Sequence, residues 1–154
     1  QMGTAIDSVS GKGFYVYVSD EALCKFILAH SATVQRFEKG IEILEYIKSA
    51  AKAAIEDIKE RYYDYACRNS NSEGLYGLIC DVMSEETGIN FQYYVGNSEG
   101  DFDDCIMYVP TYPWKLNKIE RELTEEKLDN ILKKYIGELG GQLQVEYIQL
   151  VYEC

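Results

Sequence analysis

Ile89, Phe91, Tyr93 and Val95 alternate with Asn90, Gln92 and Tyr94, and after the turn-forming "GNSEGD" the chain returns through "CIMYV" at 105–109. Period-two alternation on both sides of a Gly/Asn turn specifies an antiparallel β-hairpin with one face buried. Any fold for this chain must therefore supply further strands to the hairpin and apolar cover for the face of Phe91 and Tyr93.

The flanking segments supply both. "FYVYVS" at 14–19 is aromatic and β-branched, which predicts a strand. Ser19 can cap a helix through His30, with Asp20 and Glu21 in its first turn and Leu23, Phe26 and Ile27 inward. From Val34 to Tyr65 apolar residues recur at steps of three and four, with Lys48 at the seam between two stripes and Gly40 inside the first. "IEILEYI" also fits a strand, but the alanine-rich segment behind it favours helix. Unbroken, this helix would be ~50 Å long, so it must kink at Gly40 or protrude. A protruding helix would be a natural dimerisation arm.

Leu75, Leu78, Ile79, Val82 and Met83 form the stripe of a shorter helix that Gly88 would end in a left-handed cap. Beyond the hairpin, the only two prolines bracket "PTYPW" at 110–114. Thr124 can cap a last helix, and "QLQVEYIQLVY" closes the chain as a strand. The class is α+β, and the order of elements is the βαββαβ of a ferredoxin-like split βαβ unit, with a large helical insertion in the first crossover. Residues 1–12, which lack the apolar core of a signal peptide, are expected to form a tail, and 13–154 a single domain.

Charge narrows the function. There are 26 acids against 15 bases, a formal net charge of −11. Phosphate backbones and anionic membranes both attract cations, so direct nucleic-acid or membrane binding is disfavoured. Moreover, Asn69 to Trp114 contains Glu73, Asp81, Glu85, Glu86, Glu99, Asp101, Asp103 and Asp104 without a single Lys or Arg. Ordinary surfaces mix the two signs, because a block of one sign repels itself. Tyr93, Tyr94, Phe102, Tyr108, Tyr112 and Trp114 lie in or beside this block, and alternation places Tyr94 on the face opposite Phe91 and Tyr93, where it is expected to be exposed. Exposed aromatics ringed by charge are typical of protein interfaces. Asp81, Glu85, Glu86, Tyr94, Glu99, Asp101, Phe102, Asp103, Asp104, Tyr112 and Trp114 thus form the expected partner-binding set.

The expected partner is a basic protein surface. Basic grooves mostly serve nucleic acid, so the expected role is inhibition of a nucleic-acid enzyme in the cytoplasm by mimicry of its phosphate track, as for an anti-CRISPR or a nuclease-toxin immunity protein.

Other chemistries find little footing. The five cysteines, at 24, 67, 80, 105 and 154, contain no C-x-x-C and fit reduced thiols, and His30 is the only histidine. "SGKG" lacks P-loop spacing, and the 97–108 stretch places Phe102 where a calcium loop requires glycine. "DDCIMYV" lacks the basic aromatic motif of RNA-binding sheets. No cofactor or metal is expected. The rival is enzymatic: Glu42, Glu45, Glu56, Asp57, Glu60 and Asp64 lie on the 34–65 helix. Over that single helix the pattern resembles all-α nucleotide pyrophosphohydrolases, which implies magnesium held by Glu42, Glu45, Glu56 and Glu60. The same residues also make i,i+4 pairs such as Asp57–Arg61 on a solvated face. A third reading is a ligand-binding or dimerisation module that uses the sheet face.

Overall fold

The structure, a computed structural model, describes residues 6–49, 52–98 and 101–153. It is α+β: a four-stranded antiparallel sheet, with seven α-helices among the described residues. The strands are β1 (Ile6–Tyr15), β2 (Phe91–Ser98), β3 (Asp101–Tyr108) and β4 (Glu146–Glu153). The helices are α1 (Asp20–Ala29), α2 (Ser31–Val34), α3 (Gly40–Ser49), α4 (Lys52–Arg61), α5 (Tyr76–Thr87), α6 (Lys118–Arg121) and α7 (Glu125–Leu139). None of the described helices is long and apolar enough to cross a membrane.

The hairpin forms as expected, but its strands run on through most of the expected turn, with Phe91 opposite Tyr108 and Ser98 opposite Asp101. β3 also pairs with β1, β1 pairs with β4, and a single bridge between Asn97 and Val151 closes the sheet on itself in the order β1-β3-β2-β4. Closure gives the sheet an inner and an outer face. Phe14, Phe91, Tyr93, Ile106 and Tyr108 point outward into the main core, which the helices complete. Val9, Cys105, Met107, Ile148 and Leu150 point inward as a second, smaller core.

Two expectations fail here. Residues 6–12 are not a tail: β1 begins at Ile6 and pairs with β4 from Ile6 opposite Glu153 to Gly13 opposite Glu146. The serines and glycines of "IDSVSGKG" hide this strand, because strand propensity reads side chains that this closely packed segment does without. "FYVYVS" contributes only its first two residues to the ladder, although Val16 N–H still donates to Asp104 O at 2.9 Å.

The 34–65 segment breaks before Gly40, one of its two expected courses, and does not protrude as a single helix. The chain leaves α2 at Val34 and re-enters helix at Gly40, where any side chain would sit 1.7 Å from the Val34 carbonyl oxygen. α3 and α4 then fold back on each other. One continuous helix would separate residues 46 and 61 by ~22 Å, yet the Arg61 guanidinium lies 4.2 Å from the Tyr46 ring centroid. Tyr46 and Tyr62 also meet edge-on at 6.1 Å. Lys48 is exposed near the end of α3, and no long arm remains to mediate dimerisation.

The remaining caps are as expected. Ser19 accepts from Ala22 N–H, Thr124 accepts from Lys127 N–H, and Gly88 closes α5 at φ 75°.

Candidate functional site

The acids of residues 69–114 do not form one surface. Asp81 is only 2% exposed. It accepts from Tyr65 OH at 2.7 Å, the Cys67 thiol at 3.3 Å and the Arg68 backbone N–H at 3.0 Å. Burial raises its carboxyl pKa above the ordinary value in spite of these donors. Its role is internal: it ties the 65–68 segment to α5. Glu85 is neutralised by Arg36 and Arg68, at 3.4 and 3.5 Å. Glu86 is engaged by Thr33, Tyr135 and His30.

Strand alternation divides the hairpin acids as well. Asp104 points outward, half-buried, and accepts from Tyr93 OH at 2.9 Å. Burial and the adjacent Asp103 raise its pKa against that hydrogen bond. Tyr94 is on the face opposite Phe91 and Tyr93, as alternation requires. That face is the inside of the closed sheet, however, so Tyr94 is half-buried against the inner core, with its hydroxyl on Gln92. Glu99 lies outside the described residues, as do the side chains of Asp101 and Phe102.

Tyr112 and Trp114 are exposed, at 59% and 76%, and their rings stack at 4.7 Å between centroids. They leave the sheet from the Tyr108 end of β3, ~17 Å along the strand from Asp103. The structure therefore separates these aromatics from the hairpin acids.

Asp103 belongs to a different constellation. Along the inner face, β3 runs Met107, Cys105, Asp103, and β4 runs Leu150, Ile148, Glu146. At the same end β1 contributes Tyr15, and the alternation carries on past its last residue to Tyr17. The inner stripe thus changes from apolar to acidic and aromatic at one mouth of the closed sheet. There Tyr15, Tyr17, Asp103, Gln142, Leu143, Gln144 and Glu146 line a cleft of about 410 Å³. Tyr17 OH donates to Asp103 Oδ1. Among the described residues no Lys or Arg lines the cleft or pairs with Asp103 or Glu146. Glu146 carried a readable signal, an acid in phase with Ile148 and Leu150 on an apolar stripe. So did Tyr15 and Tyr17, in phase with each other and out of phase with Phe14 and Val16.

A second cluster joins four helices. His30, at the end of α1, has a side chain only 11% exposed. Its Nδ1 lies 2.8 Å from Glu86 Oε2 of α5, and its Nε2 meets Glu138 of α7. Tyr135 OH also donates to Glu86, and Thr33 of α2 does so at 2.6 Å. A helix-end histidine satisfied by backbone or water would be unremarkable; this one is held between two carboxylates. Burial disfavours the imidazolium, but the hydrogen bonds to Glu138 and Glu86 outweigh it and raise the pKa above 6.5. For Glu86 the same burial is outweighed by Thr33, His30 and Tyr135, which lower its pKa.

The His30 contribution to stability is therefore complete below pH 6.5 and disappears as pH rises through the higher folded value. The Glu86 contribution is present above its unfolded pKa and disappears as pH falls through its lowered folded one. His30→Ala should cost ~2 kcal/mol near pH 6, by leaving two carboxylates facing each other, and less near pH 9. Urea titrations at both pH values check this, and the proton resonance of the one histidine reads its pKa directly. A midpoint below 6.5, or an equal loss at both pH values, contradicts the assignment.

The carboxylates of the magnesium reading sit on the α3–α4 pair, where Glu42, Glu45, Glu56 and Glu60 are all exposed. Among the described residues no three His, Cys, Asp or Glu side chains converge as a metal-binding group. Comparisons with protein-family models, curated proteins and solved structures each found no match.

Proposed function

We propose that the protein is an acidic binding protein that docks the mouth of its closed sheet, with the β2–β3 hairpin, onto a basic surface of a nucleic-acid-handling protein in the cytoplasm and occupies its phosphate-binding track. The observation that carries this reading is the mouth itself: Asp103 and Glu146 beside Tyr15 and Tyr17, with no described cation among them. Carboxylates in that setting speed encounter with a basic partner, and tyrosines supply rigid contact area at the centre. The adjacency β4-β1-β3-β2 supports reading the scaffold as a ferredoxin-like sheet in which one extra bridge joins the two edges.

The test is a double charge reversal, Asp103→Lys with Glu146→Lys. Asp104 is left alone because its half-buried contact with Tyr93 serves the fold. At low salt the double variant should lose partner capture from lysate by about tenfold or more, with unchanged circular dichroism. Duplex DNA added to the wild type should displace the captured partner. Capture that survives both treatments would overturn the proposal.

A further inference from the structure

The cleft at the sheet mouth has the chemistry of a receptor for one kind of group. Its apolar surfaces are Leu143 and the Tyr15 ring, which also packs against the inner core. Its only charged groups are the Asp103 and Glu146 carboxylates, and Gln142 and Gln144 add amides that can accept through their carbonyl oxygens. Tyr17 occupies Asp103 Oδ1, which orients that carboxylate, while Oδ2 carries no hydrogen bond among the described residues. At about 410 Å³ the cleft suits a small ligand or one long side chain.

We infer that this cleft is a binding site for a guanidinium group, filled by an arginine side chain of the docking partner. A guanidinium is planar and weakly hydrated, so it stacks on a tyrosine ring while its N–H fork engages a carboxylate. The arginine stem would lie along Leu143 and Tyr15, as such methylene chains do on apolar surface. A lysine ammonium offers the charge without the planar fork, and it holds its water more tightly. The inference rests on the docking face proposed above, because the partner is what would present the arginine.

Titration of the intact protein with agmatine, followed by backbone amide shifts, tests the cleft without any partner. Saturable shifts at Tyr15, Tyr17 and Gln144 are expected, weakened about tenfold or more in the Asp103→Asn, Glu146→Gln double variant. n-Butylamine should bind at least about threefold more weakly than agmatine. No saturable shift, equal binding by the double variant, or equal binding of the two amines would overturn the inference. The two failures are separable. Agmatine binding in a protein whose partner capture ignores the charge reversals would refute docking through this face but leave the guanidinium site standing. Charge-sensitive capture without agmatine binding would refute the site and leave the docking face standing.

Discussion

Asp81→Ala should destabilise the protein by about 4 kcal/mol, a large share of the ~5–15 kcal/mol by which a domain is stable. The carboxylate is buried and serves three donors from one short stretch: Tyr65 OH, the Cys67 thiol and the Arg68 N–H. Alanine strands all three in a dry environment, where each unsatisfied donor costs ~1–3 kcal/mol, less than additively once the segment relaxes. Tyr65→Phe removes one donor by itself. The double variant should therefore be more stable than the sum of the single losses predicts, by about 1–2 kcal/mol. Urea denaturation of the four proteins measures this coupling. Partner capture per folded molecule should not change, because the side chain is out of a partner's reach. If Asp81→Ala cost under ~1 kcal/mol, or weakened capture without weakening the fold, its assignment as an internal strut would be wrong.

The fate of Asp81 illustrates what could be read from the chain. Its charge is plain in the sequence, but a count along the sequence says nothing about depth. The relevant signal was in its neighbours: Leu78, Ile79, Cys80, Val82 and Met83 surround it, and a helix apolar on nearly every side is buried on nearly every side. An acid in such a turn has to find donors inside. The hairpin and its buried face were legible because period two is a strong local signal, and the same period already separates Asp103 from Asp104. Other features were not local. Sheet closure depends on Asn97 meeting Val151, which no pattern announces. The reversal between α3 and α4 was concealed by two stripes that nearly share a phase. β1 is hidden because its partners lie far along the chain, and its glycines read as loop.

Those glycines set how closely β1 can lie between its neighbours. Gly13 lies between two strands, opposite Met107 of β3 on one side and Glu146 of β4 on the other. A methyl group at this position would stand 1.9 Å from the Ile106 carbonyl oxygen and 2.6 Å from the Met107 Cα. These are backbone atoms, so no rotamer change relieves the clash, and β1 cannot move aside because it is hydrogen-bonded on both edges. Gly13→Ala should consequently cost about 3 kcal/mol or more, through strand separation and broken ladder hydrogen bonds. Amide exchange should accelerate at Phe14 and Ile106, which face each other one residue further on. Because Glu146 is the β4 partner of Gly13, agmatine binding should weaken in the same variant. Gly137→Ala is the control: it lies within α7, and nothing comes within 4 Å of the added carbon. That substitution should stabilise the protein by ~0.5–1 kcal/mol through helix propensity. If both alanine variants melted alike, close strand approach at Gly13 would not be what seats β1 between β3 and β4, and the geometry of the mouth would need another origin.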